Sequence, residues 1–278
     1  MPNWVRGVLK VDGKDADKVL KKYIHKNKYG DTVFDFNLIK KMPEELLIIS
    51  GTTTDDCFAV YLSTLPKVEK LSVLKTFYEA CRVPEFFKED RYLKSQSEIK
   101  EIINDYLKSH KEPQEDDPMF PVFKTKQDVI NYGKRVYDNI INYGAKDWYD
   151  WCVENWGTKW NACETIYDKD TPNKVQFDTA WSDVRELIKE LSAKHPENTF
   201  SYTYAEEQLG YYTGSCTCQN GEIISQRVNE NYSKDAYEQS FDLWGGEEFF
   251  RYNEQTGTYE DIEDDGDEEM WHIPRRND

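Results

Sequence analysis

Two runs of alternating residues, Val175-Phe177-Thr179-Trp181 and Phe200-Tyr202-Tyr204, flank one helical stripe of Val184, Leu187, Ile188 and Leu191. Alternation at every second residue puts the apolar side chains of a strand on one face. The stripe between them has helical spacing, with Ser182 as its cap, and stops before Pro196. After Gly210, alternation resumes at Tyr212, Gly214, Cys216 and Cys218, which predicts a hairpin with the preceding strand. The other end of the chain repeats the theme. Residues 3–13 read as a strand closed by a Gly13 turn, and Asp15 is placed to cap a helix carrying Val19, Leu20, Tyr23 and Ile24. Strand character returns over 33–39, before Pro43 interrupts the chain. Strand, helix and strand at both ends are most economically joined in a single α+β sandwich.

Between these ends the periodicity is helical. Val68, Leu71, Leu74, Tyr78 and Cys81 recur at helical spacing. A capping box, Ser95-Gln96-Ser97-Glu98, opens a second helix with Ile99, Ile102, Ile103 and Tyr106. A polar, proline-bounded loop over 109–118 precedes a third helix, which starts at Thr125 and carries Val129, Tyr132, Val136 and Ile140. The expected organisation is an amino-terminal part of the sandwich over 1–54, a helical insertion over 55–144 and a carboxy-terminal part over 145–245. An acidic, flexible tail is expected over 246–278. A further helix is expected over 233–244, and residues 254–269 hold nine carboxylates and no base.

Three stretches carry a family resemblance. They are Met1-Pro2-Asn3-Trp4 with a nearby glycine, the block Trp151-Cys152-Val153-Glu154-Asn155-Trp156-Gly157-Thr158-Lys159-Trp160-Asn161-Ala162, and Phe177-Asp178-Thr179-Ala180-Trp181-Ser182. Together they resemble the YubB/Api92-like proteins of bacteriophages and conjugative plasmids. The resemblance implies a ferredoxin-like α+β fold for residues 1–26 plus roughly 145–225. It also implies a mobile-element context, in which accessory proteins counter host defence or tune host replication. It implies no particular activity. Val5 stands where the family commonly has cysteine, so no thiol or metal role is carried over to that position.

Charge narrows the choice of partners. The 278 residues include 36 basic and 53 acidic side chains, a formal net charge of −17. Such a surface repels phosphate backbones and anionic lipid headgroups. No apolar run is long enough to span a bilayer and the amino terminus has no signal-peptide core, so a soluble, cytoplasmic protein is expected. Six cysteines (Cys57, Cys81, Cys152, Cys163, Cys216 and Cys218) then read as reduced thiols. Cys216 and Cys218 share one strand face, but no second Cys or His pair completes a zinc set, and no metal or cofactor is expected.

Catalytic motifs are missing: there is no glycine-rich phosphate loop, nucleophile elbow or His-Glu-x-x-His helix. His25, His110, His195 and His272 stand at no recognisable spacing from a nucleophile or a second ligand. A non-enzymatic protein is expected. Asp147, Asp150 and Glu154 share one helix face, and with Glu260, Asp261, Glu263, Asp264, Asp265, Asp267, Glu268 and Glu269 they form the candidate acidic contact surface. Trp148, Trp151, Trp156, Trp160 and Trp181 are either a base-stacking platform flanked by Lys159 and Arg185 or core packing; core packing is favoured because no basic RNP-type strand accompanies them. The expected function is binding and inhibition of a host defence factor with a basic groove, such as a CRISPR effector or another nuclease, by an acidic surface that mimics nucleic acid. The alternative is a single-stranded nucleic-acid or nucleotide module that uses an aromatic sheet face.

Overall fold

The structure, a computed structural model, describes residues 3–80, 92–114, 117 and 119–262. In chain order the elements are β1 (Trp4–Gly13), α1 (Ala16–Val19), β2 (Ile24–Lys26), β3 (Thr32–Phe34), α2 (Phe36–Ile39), α3 (Thr52–Thr64), α4 (Lys67–Ala80), α5 (Gln96–Ser109), α6 (Lys126–Tyr143) and α7 (Trp148–Trp156). They continue with β4 (Cys163–Ile166), β5 (Lys174–Ala180), α8 (Arg185–Ala193), β6 (Asn198–Glu206), β7 (Thr213–Gln219), β8 (Glu222–Val228), α9 (Lys234–Trp244), β9 (Phe250–Asn253) and β10 (Thr258–Asp261).

The fold is α+β and contains a ferredoxin-like domain. Its sheet runs β4-β5-β1-β6-β7-β8. Strand β1 pairs antiparallel with both β5 and β6, with Gly7 opposite Phe177 on one side and Tyr204 on the other. Strands β5 and β6 are therefore parallel to each other, linked by α8, with β1 between them: a split β-α-β unit. The strands β6-β1-β5-β4 supply the four-stranded ferredoxin-like core, and β7 and β8 extend it beyond β6. The simplest version of this fold joins its first two strands through one helix; here the whole of residues 14–162 occupies that connection.

One sheet face is made by Val5, Leu9 and Val11 with Val175, Phe177, Phe200, Tyr202 and Tyr204, all buried. Gly7 is required on that face, because a Cβ there would lie 2.7 Å from the Tyr202 ring. The opposite face takes α9, whose Gln239 amide donates to the carbonyls of Tyr204 (2.7 Å) and Gly214 (2.8 Å).

The chain divides into two compact units. One holds residues 1–21, 164–183 and 192–278; the other holds 22–163 and 184–191. The helical unit is wider than the 55–144 that periodicity suggests. Its described residues include an apolar cluster of Phe58, Leu62, Phe77, Tyr92, Val136 and Ile140 and another of Val60, Ile99, Ile103, Phe123 and Val129. Helices α3 and α6 approach closely because Gly133 has no side chain: a Cβ would sit 1.9 Å from the Cys57 carbonyl oxygen.

Local capping explains most helix starts. Ser95 and Glu98 form the capping box of α5, and Thr125 and Asp128 form that of α6. Ser233 caps α9 through Ala236 N–H (3.3 Å). Three expectations need correction. The strand character over 33–39 is cut at Phe34, because the Asp35 carboxylate accepts from Asn37 N–H (2.9 Å) and starts α2. Asp15 takes left-handed backbone and binds the Lys18 ammonium (2.6 Å) rather than capping α1. The stretch read as a flexible tail from 246 opens with the β9–β10 hairpin, whose Phe250 and Tyr259 rings pack on Phe241 of α9 at 5.4 and 5.1 Å.

Candidate functional site

The helical unit carries a charge cluster at the start of α7. Gly144, left-handed, ends α6 and turns the chain so that Asp147 caps α7, accepting from Tyr149 N–H (3.0 Å) and Asp150 N–H (3.2 Å). The Lys146 ammonium lies 2.8 Å from Asp55 Oδ1 on α3, and the Tyr92 hydroxyl donates to the same oxygen at 3.1 Å. Burial raises the Asp150 carboxyl to about 6, with Asp147 adding to the shift, Lys146 opposing it and Asp55 adding again. Burial also raises Asp147. At Lys146 burial opposes the charge, but Asp150, Asp55 and Asp147 outweigh it and hold the ammonium above its ordinary value.

This geometry corrects the acidic face expected from Asp147, Asp150 and Glu154. Asp147 is fully buried and accepts from backbone N–H groups, and Asp150 is half-buried, with Lys146 only partly offsetting its burial and the neighbouring carboxylates; of the three only Glu154 is exposed. Chemically the cluster is a buried charge balance that ties α3 to α7, with one carboxyl poised to change protonation near neutral pH.

The tryptophans do not form one platform. Trp151 and Trp156 are buried edge-to-face at 5.7 Å, and the Trp156 indole donates to the Lys40 carbonyl (2.9 Å) while its ring meets Phe36. Trp148 is half-buried against Tyr149, and its indole N–H finds no acceptor among the described residues. Trp160 is 37% exposed with the Lys159 ammonium 3.7 Å from its ring centre. Trp181 belongs to the sheet unit, 49% exposed and at a left-handed φ of 72°. The sheet rings Phe177, Phe200, Tyr202 and Tyr204 are buried, so they offer no face on which bases could stack.

Sequence reading missed a chain of polar contacts in the helical unit. Asn161, the last polar residue of the tryptophan block, accepts from Phe36 N–H (2.8 Å) and donates to Asp35 (2.7 Å). Asp35 in turn pairs with His25 Nε2 at 2.9 Å, and His25 Nδ1 lies 3.1 Å from the Lys26 carbonyl. The Lys26 carbonyl and the Asp35 carboxylate hold the imidazole above its usual value. Burial pushes against ionisation of Asp35, but hydrogen bonds from His25, Asn161 and Asn37 lower it overall. The available signal was the Asp-Phe-Asn sequence at 35–37, a helix start.

The acidic element of the sheet unit is α9 with the β9–β10 hairpin. Residues 229–262 contain nine carboxylates and two bases, Lys234 and Arg251. Their scaffold is aromatic: Tyr237 and Phe241 of α9 pack against Phe250 and Tyr259, tilted or edge-on, at 5.1–5.7 Å. The Trp244 indole donates to the Ala205 carbonyl (3.0 Å), anchoring α9 on β6. Glu230, Asp235, Glu247, Glu248 and Glu254 are exposed. Of the expected contact residues, Glu260 and Asp261 lie exposed on β10; Glu260 accepts from Asn253 (2.8 Å) and Thr256 (3.1 Å). Glu263, Asp264, Asp265, Asp267, Glu268 and Glu269 lie outside the described residues.

Among the described residues no three His, Cys, Asp or Glu side chains are grouped so as to hold a metal, and no helix is long and apolar enough to cross a membrane. Cys216 and Cys218 do share a face, buried, with their sulfurs 3.9 Å apart.

Residues 155–247 match a family model described as the ferredoxin-like domain in Api92-like protein. The match runs from the end of α7 through α9. Among solved structures, the crystal structure of a protein api92 from Yersinia pseudotuberculosis is similar at 12% identity, over 83% of this chain and 99% of that chain, with a TM-score of 0.39. No curated protein matches the chain.

Proposed function

We propose that this chain is a non-enzymatic accessory protein of a phage or plasmid that binds and inhibits a host defence factor with a basic nucleic-acid groove. The chemistry fits a defence nuclease such as a CRISPR effector. The contact surface is the acidic element of α9 and the β9–β10 hairpin, continued by the carboxylates of 263–269. One observation supports this reading: nine carboxylates and two bases are carried on an element with its own aromatic packing, rather than on a charged tail alone. A fixed array of carboxylates can occupy a groove shaped for phosphates and select basic partners by charge. The buried Asp147 takes no part; Glu230, Glu247, Glu248 and Glu254 replace it as contact residues.

The test is affinity capture from host lysate with the full chain and with a Glu247→Gln, Glu248→Gln, Glu254→Gln variant, washed at low and moderate salt. Capture of a nuclease or nucleoprotein by the full chain, weakened by the substitutions and by salt and competed by duplex DNA, supports mimicry. Capture indifferent to both, or capture of nucleic acid alone, overturns it.

A further inference from the structure

The β9–β10 hairpin has two unlike faces. Ring contacts of Phe250 and Tyr259 with Phe241 put those side chains on the face toward α9. The ladder pairs Phe250 with Asp261, Arg251 with Glu260 and Asn253 with Thr258. Ile262 N–H donates to the Phe249 carbonyl at 2.9 Å, which continues the same register by one step and sets Phe249 opposite Ile262. Alternation then places Phe249 and Ile262 on the outer face with Arg251, Asn253 and Glu260. The Asn253 amide donates to the Glu260 carboxylate at 2.8 Å, as side chains of one face can. Phe249 is 60% exposed and Ile262 48%, an apolar cross-strand pair turned to solvent.

The backbone that carries this pair is fixed. Gly245 and Gly246, at φ 77° and 89°, turn the chain out of α9. Phe249 N–H then donates to the Gly246 carbonyl at 3.1 Å. Glu247 and Glu248 directly precede Phe249, and Glu260 and Asp261 directly precede Ile262; all four are exposed. A single apolar residue on a surface is ordinary. An aromatic–aliphatic pair on ordered backbone, bordered by carboxylates, has the anatomy of an interface anchor: an apolar centre and a charged rim.

We propose that Phe249 and Ile262 anchor an arginine of the basic partner, its guanidinium stacked on the Phe249 ring and its charge met by the bordering carboxylates. This rests on the reading of α9 and the hairpin as a surface for basic partners, and it adds a choice between cations. Carboxylates alone attract arginine and lysine alike, because each carries one positive charge. A planar, weakly hydrated guanidinium stacks readily on an aromatic face, whereas a compact ammonium gives up more hydration to do so. Arginine is also the side chain that holds phosphate through two parallel hydrogen bonds, so a groove shaped for phosphates supplies it.

The test is calorimetric titration of the full chain with oligo-arginine and oligo-lysine peptides of equal length, read as the ratio of the two affinities. The wild type should favour arginine. Phe249→Leu keeps apolar bulk but removes the ring; it should lower the ratio about threefold, the size of an exposed cation–π contact, with an unchanged far-UV spectrum. The loss should fall on the arginine peptide alone. Phe249→Tyr should restore the ratio, and Tyr232→Leu, which removes an exposed ring outside the pair, should leave it unchanged. Replacing Glu247 and Glu248 together by Gln should weaken both peptides and keep the ratio. A ratio indifferent to Phe249→Leu, or lowered equally by Tyr232→Leu, overturns the anchor and leaves the acidic surface standing. A wild type that binds neither peptide overturns both readings.

Discussion

Arg6 and Asp178 face each other across the β1–β5 ladder and close a two-point salt bridge, with Nε and Nη2 each 2.9 Å from a carboxylate oxygen. The guanidinium also lies 3.8 Å from the Trp244 ring centre, and its Nη1 reaches the Leu243 carbonyl at 3.4 Å. One side chain thus joins the first strand, a strand 172 residues later and the end of α9. Asp178 is buried and Arg6 about a fifth exposed, so removing the acid strands a mostly desolvated cation. Asp178→Asn should cost about 2–3 kcal/mol in urea unfolding. Arg6→Lys should recover less than half of what Arg6→Met loses, because an ammonium lacks both the fork and the stacking plane. A cost below about 0.5 kcal/mol for Asp178→Asn, the level of an exposed pair, contradicts this.

Gly133 tests the packing of the helical unit. Gly133→Ala should raise helix propensity yet lower stability by about 3 kcal/mol, since the new methyl meets the Cys57 backbone rather than a movable side chain. Thermal unfolding of the variant decides it; a neutral or stabilising effect shows that α3 and α6 have room to part.

The cluster around Lys146 predicts a pH dependence. The folded protein holds the Asp150 proton up to about pH 6, well above the ordinary 3.8, so the native state binds more protons between those values. Stability from this group is full below pH 4 and declines as pH rises through 6. Asp150→Asn removes the dependence. It should stabilise the protein by about 2 kcal/mol at pH 7.5 and leave it nearly unchanged at pH 4, as read by urea midpoints at both pH values. Equal effects at the two pH values overturn the assignment.

Tyr259 separates the shape of the acidic element from its charge. Its ring holds β10 on Phe241 and Tyr237 without contributing to the net charge. Tyr259→Ala should speed proteolysis within 250–262 and weaken capture of a basic partner severalfold. Unchanged capture shows that charge density alone is recognised.

The stretches read correctly from sequence were those whose determinants lie within a few residues. Alternation at Phe177 and Tyr202 marked β5 and β6, the Ser95–Glu98 and Thr125–Asp128 boxes marked α5 and α6, and Ser233 marked α9. The failures have two causes. At Asp35 a capping carboxylate overrode the β-favouring run around it. At 250–261 the charge density suggested disorder, but Phe250 and Tyr259 find rings on α9, and their burial outweighs the repulsion.

The candidate site divides the same way. Net charge, acid density and the capped starts of α5, α6 and α9 are properties of the chain itself. Which acids reach a partner did not follow from them: Asp147 and Glu154 look alike in sequence, yet one is a buried cap and the other faces solvent. The pairing of Arg6 with Asp178 and of Lys146 with Asp55 joins positions far apart in the chain. Local sequence determined the α+β elements because capping and periodicity act over a few residues, and the family resemblance added the expectation of a ferredoxin-like frame. Burial and charge compensation depend on which distant segments meet, and only the tertiary structure decides that.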